Sequence, residues 1–282
     1  MKKLLSLVLL AIVVSFSGCG SKDTGVAAAA TGLEGQDVST YLVGKYVDVK
    51  TATQKLQDAG YEIVASYEPV KKGTTLVFTN DALKAQGAKP GKAHAAVLRL
   101  FIDQKEKMIS FTNPVYFGKA YMQEFYDHGV FNAELEKIKS TFEGLSPSAD
   151  KMKFDDLAGF HFMVGMPYYS DTNELAKGEQ EALLTKAREY KKGKELVYEL
   201  KLSDGSTLLG YDLGKRTKKF VEKIGRANAA ILPYSIMVEN GVATCMDAKY
   251  YIALSYPLLT MTEFMTISTV PGAIEKDLSK PF

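Results

Sequence analysis

Apolar and polar positions recur along this chain in one order, and the order is written twice. "HAAVLRLFIDQKEKMISFTNPVYF" (residues 94–117) and "NAAILPYSIMVENGVATCMDAKYY" (residues 228–251) align without a gap, 134 residues apart. Only five positions are identical: Ala95/Ala229, Ala96/Ala230, Leu98/Leu232, Ile102/Ile236 and Tyr116/Tyr250. The weight therefore falls on the elements around them. In the first copy, "VSTYLVGKYVD" reads as a strand, and Val49, Ala52 and Leu56 fall at helical spacing ahead of Gly60. "YEIVASYEPV" and "TTLVFTN" predict strands on either side of Lys71-Lys72-Gly73. "AAVLRLFID" and "KMISFTN" predict a hairpin. One long helix should follow from about Tyr116, because Phe117, Tyr121 and Phe125, then Met122, Tyr126 and Val130, recur at i, i+4. The order is β-α-β-β-β-β-α.

The second copy repeats it. "GFHFMVGMPYY" is expected as the first strand, with Val164-Gly165 answering Val43-Gly44, and "NELAKGEQEALLTKAREYKKG" as the helix, ending at Gly193. Asp204-Gly205 and Asn240-Gly241 mark two hairpin turns. "RTKKFVEKIG" is expected to be an added helix, and residues 258–278 to be helical with a break near Pro271. The pattern predicts an α+β protein built by tandem duplication. A first domain spans 38–140, a linker 141–156 and a second domain 157–282. A sheet with helices on one face leaves the other face bare, so each copy is expected to cover its sister. A groove between related halves is the default place for a ligand.

β-α-β4-α with antiparallel strands is the order of the TATA-binding-protein-like fold. The chain resembles the bacterial domain-of-unknown-function 302 family through "LQDAGYEIVASY", "VFTNDAL" and the two hairpins ending at Asn113-Pro114 and Asp247. Ala248 stands where that family usually has proline. The resemblance implies a fold; it carries no catalytic motif and no activity.

The N-terminus supplies an address. Lys2 and Lys3, an apolar run over residues 4–16, and the small pair Ser17 and Gly18 have the grammar of a secretory signal, residues 1–18. The run is shorter than the roughly 20 residues a membrane-spanning helix needs. "FSGC" resembles the lipobox of bacterial lipoproteins, which implies a diacylglyceryl group on Cys19 and a lipid bilayer as partner. Gly20, rather than aspartate, follows the cysteine and points to the outer membrane, with the body facing the periplasm. Residues 19–37, small and polar, read as a flexible tether.

Charge and cysteine content narrow the function classes. The chain has 35 basic and 33 acidic residues, and loss of Lys2 and Lys3 leaves it balanced. That argues against nucleic acid as a partner. With Cys19 acylated, Cys245 is the one remaining thiol, so no internal disulfide forms. His94, His128 and His161 show no metal-ligand spacing, and no serine-hydrolase, phosphate-loop or paired-cysteine motif is present. No cofactor is implied. His94 is expected at a strand edge, His128 on the open face of the long helix and His161 in a strand. Cys245 falls where the first copy has Phe111, which favours a buried core position.

Sixteen tyrosines and no tryptophan make a skewed aromatic set. They either pack the helix–sheet seams or line a groove, since tyrosine pairs an apolar body with a polar tip. The candidate ligand residues are Tyr116, Tyr250, Asn113, Asp247 and His94, with turn capping as the plain reading of Asn113 and Asp247. The expected function is a membrane-anchored periplasmic lipoprotein that binds a small amphipathic ligand or a protein partner between its halves. The alternative is an enzyme or metal-handling protein whose His, Cys and carboxylate groups converge only in the fold.

Overall fold

In the computed structural model, which describes residues 31–282, both halves adopt α+β structure with antiparallel sheets. The first half runs β1 (Asp37–Ser39), β2 (Tyr41–Lys45), α1 (Val49–Asp58), β3 (Glu62–Val70), β4 (Gly73–Thr79), α2 (Asp81–Gly87), β5 (Leu98–Asp103), β6 (Met108–Thr112), α3 (Pro114–Met122) and α4 (His128–Thr141). Two short strands follow, β7 (Ser146–Pro147) and β8 (Lys151–Lys153). The second half runs β9 (Asn173–Lys177), α5 (Gln180–Glu189), β10 (Leu196–Lys201), β11 (Thr207–Tyr211), α6 (Phe220–Ile224), β12 (Tyr234–Glu239), β13 (Val242–Cys245), α7 (Ala248–Ser255), α8 (Met261–Met265) and α9 (Val270–Ser279).

The two larger sheets share one strand order. The first is β3-β4-β5-β6-β2, extended by β7, and the second is β10-β11-β12-β13-β9. In the central hairpin the registers differ by two residues. Ile102 of β5 faces Ile109, whereas its counterpart Ile236 faces Cys245, which aligns with Phe111. The second hairpin turns tightly at Asn240-Gly241, where both residues take positive φ as a two-residue turn of this hand requires. A slip of two residues leaves every side chain on its original face.

Each half covers the other's sheet through the same connection. Leu76, Phe78, Leu100, Ile102, Ile109 and Phe111 alternate along β4, β5 and β6 into the main core, which also holds Leu56 of α1 and Ile138 of α4. The intervening positions, Val77, Arg99 and Ser110, point the opposite way by the two-residue period of a strand. That face meets the 3-10 segment Arg226–Ile231 of the second half, which lies on β5 and β6. Reciprocally, the 3-10 segment Ala93–Ala96 of the first half lies on β11 and β12. There Ala93, Ala96 and Val97 join Val77, Tyr198, Leu200, Leu208 and Met237 in a second apolar cluster.

Several expectations are corrected. The long helix from Tyr116 is two helices, broken where Gln123 takes φ 52°; the second starts at His128, with Asp127 as its cap accepting the Val130 N–H. His128 sits in the first turn of α4 and is half-buried. "GFHFMVGMPYY" forms no strand; Gly165 (φ 81°) and Pro167 lie in an irregular loop, so His161 is not in a strand either. The strand that pairs with β13 is β9, at the start of the segment expected to be helical, and the helix begins only at Gln180. The 141–156 linker is built into the first half: Ser146 and Pro147 pair with β2, and β8 pairs with β1. Within the tether, Gly35 donates its N–H to Asp155 Oδ2 at 2.7 Å and Asp37 pairs with Lys153, so its last residues are docked. Cys19 and the signal segment lie outside the described residues.

Candidate functional site

A charged side chain inside an otherwise apolar strand needs a physical account, and Arg99 in "VLRLFI" is one. β5 places it on the face turned toward the second half, where it is 5% exposed. Its Nη1 donates to the carbonyls of Ala230 (3.0 Å) and Ile231 (2.7 Å) and to the Tyr251 hydroxyl (2.9 Å). Its Nη2 donates to Ser235 Oγ at 2.8 Å, and Ser235 in turn pairs with the Tyr198 hydroxyl at 3.1 Å. All these partners are neutral. Among the described residues no carboxylate lies within ion-pair distance of Arg99, although a buried charge is costly unless paired. Arg226, by contrast, meets Asp103 at 2.6 Å in the same seam. In the alignment of residues 94–117 with 228–251, Pro233 stands opposite Arg99.

A cavity of about 20 Å³ adjoins this guanidinium. That is room for about one water or a single small anionic group. His94, Thr112, Tyr121, Ser235 and Tyr251 line it together with Arg99, so both halves contribute walls. His94 is buried, and its Nδ1 lies 3.4 Å from the Tyr169 hydroxyl, which donates to the Gly91 carbonyl at 2.9 Å. Nδ1 is therefore the donor in that pair, leaving Nε2 as an acceptor with no partner. Burial, reinforced by the neighbouring Arg99 charge, pushes the His94 pKa down to about 3 and keeps the ring neutral. The cavity thus offers one fixed cation, hydroxyl groups and a bare ring nitrogen.

Of the residues expected at a ligand site, His94 alone reaches this cavity. Tyr116 is fully buried and donates its hydroxyl to the Leu254 carbonyl at 2.9 Å. Tyr250 is equally buried, touches Phe160 and Tyr169, and its hydroxyl has no partner. Both pack the seam. Asn113 and Asp247 cap α3 and α7, accepting from the N–H groups of Val115 and Lys249. Asn113 also donates Nδ2 to the Ser39 carbonyl at 2.7 Å. Cys245 is buried, and burial, with lesser contributions from Glu275 and Asp247, pushes its thiol up to about 12.

His161 borders an open surface hollow with Met152, Asp155 and Phe160, and His128 bonds the Tyr126 hydroxyl. Among the described residues no three His, Cys, Asp or Glu side chains are grouped to hold a metal, and no serine, threonine or cysteine is hydrogen-bonded to a histidine. Sequence reasoning missed Arg99. Its signal was present: a lone arginine in a six-residue strand of buried positions. No family model, curated protein or solved structure matches the chain.

Proposed function

We propose that this chain is a cell-envelope lipoprotein, held to the outer membrane through acylated Cys19 and facing the periplasm, that binds a small ligand in the seam between its two halves. On this reading it is a relative of the domain-of-unknown-function 302 family with two TATA-binding-protein-like halves. The ligand places an anionic oxygen against Arg99 and an O–H or N–H donor against His94 Nε2. The observation that carries the reading is the Arg99 guanidinium, buried beside a cavity and bonded only to neutral groups. The size of that cavity limits the recognised group to a carboxylate head or an ion of similar bulk.

The test is native mass spectrometry of protein extracted from the membrane fraction in mild detergent. A bound small acidic species is expected on the wild type and should be lost from Arg99→Met. Bare polypeptide in both proteins, or the same adduct in both, would leave Arg99 as a strut between the halves and end the proposal.

A further inference from the structure

The large apolar side chains that stay exposed are not scattered. Of the seven among the described residues, Met163, Val164, Tyr168, Leu258, Met261 and Met265 fall in two segments, and only Phe125 lies elsewhere in the chain. The segments are joined by the rings of Phe162 and Phe264, 5.6 Å apart. Phe160 packs on Tyr250 behind them, so the loop is pinned at its base. Its tip turns through the Met166 N–H to Met163 carbonyl bond (2.9 Å) and leaves Val164 95% exposed. Residues 157–170 contain no Lys, Arg, Asp or Glu. Residues 256–274 contain only Glu263, which is engaged in capping α8. In a chain with 24% charged residues, such a patch needs a cover.

We infer that this patch inserts into the hydrocarbon boundary of the lipid bilayer, as a second contact beside the acyl anchor. The inference rests on the anchored reading above. The entry point of the N-terminal segment indicates the occupant. Gly35 is bonded to Asp155, Phe154 donates its N–H to the Gln36 carbonyl, and the apolar loop begins immediately after, at Leu157. Cys19 lies twelve residues before Thr31, a covalent span of at most about 40 Å. The chain leading back toward Cys19 and the apolar loop therefore leave the body from neighbouring points. With no Lys or Arg in either segment, insertion draws on apolar area rather than on anionic headgroups, and is indifferent to salt. Two contacts also fix the body's orientation, which one flexible anchor would not.

The chain has no tryptophan, so Val164→Trp installs a single reporter at an exposed tip. The lipidated variant is reconstituted in phosphatidylcholine vesicles. Its emission should shift to the blue and be quenched by acyl-chain-brominated phosphatidylcholine, equally at low and high salt. Adding Met265→Glu should cut the quenched fraction by about tenfold. Unshifted, unquenched emission overturns the inference. A blue shift that grows with protein density but resists quenching also overturns it, assigning the patch to a second copy of the chain. Mass spectrometry of the N-terminal peptide reports acylation of Cys19 separately. If the acyl group is absent, the anchored reading fails, and vesicles added to the unlipidated protein then test the patch alone by the same quenching.

Discussion

Arg226 Nε lies 2.6 Å from Asp103 Oδ2, and the carboxylate it meets is 0% exposed. This pair fastens the 3-10 segment of the second half to the end of β5 in the first. Asp103 also accepts the N–H groups of Lys105 and Glu106, so it organises its own turn as well as the seam. Arg226→Met strands the carboxylate and should cost about 3 kcal/mol, the low end for a broken buried pair, because the two N–H bonds remain. Urea unfolding monitored by circular dichroism measures this. A loss below about 1 kcal/mol would mean that water replaces Arg226 without penalty.

Tyr116 and Tyr250 align in the two similar sequence segments but differ in their hydroxyls. Tyr116 donates to the Leu254 carbonyl, whereas Tyr250 has no partner. Tyr116→Phe should therefore destabilise by about 1 kcal/mol, while Tyr250→Phe should be neutral or mildly stabilising because it removes a buried unsatisfied group. Thermal or urea midpoints of the two variants decide. Equal losses would contradict the assignment.

His94 predicts a pH dependence with a defined sign. Its pKa is about 3 when folded and 6.5 as an ordinary histidine. Between those values the unfolded chain takes up a proton that the folded protein refuses, so stability falls as pH falls from about 6.5 toward about 3. Urea midpoints between pH 6 and pH 4 should drop more steeply for the wild type than for His94→Gln. Parallel slopes would remove His94 from the acid response.

Cys245 should be silent toward a thiol reagent in the native protein and give one reactive group in denaturant, because its buried thiol is neutral far above physiological pH. If Cys19 carries the proposed acyl group, the native count is zero. Peptide mapping after labelling identifies the cysteine if a native reaction is seen.

How much was legible follows from what each signal encodes. Asp204-Gly205 and Asn240-Gly241 fix local backbone geometry, and both hairpins lie where those dipeptides stand. β9 was missed because "NELAK" is a helix-forming composition placed on an exposed sheet edge; ladder hydrogen bonds to β13 hold it there, and its side chains contribute little burial. "GFHFMVGMPYY" misled in the opposite way, since its apolar residues suit a strand yet serve the loop's pinned base and exposed tip. The break between α3 and α4 carried one sign, Asp127 three residues before Val130, overridden by an apolar periodicity that runs through it. Arg99 needed the fold, because only the partner half shows what surrounds it.

β1 and β8 form a ribbon of three residue pairs, Asp37 to Lys153, Val38 to Met152 and Ser39 to Lys151. Any tension applied through the N-terminal side reaches that ribbon before it reaches the six-stranded sheet. Under load the ribbon would peel first, freeing a few more residues at the N-terminal side while the folded body stays whole.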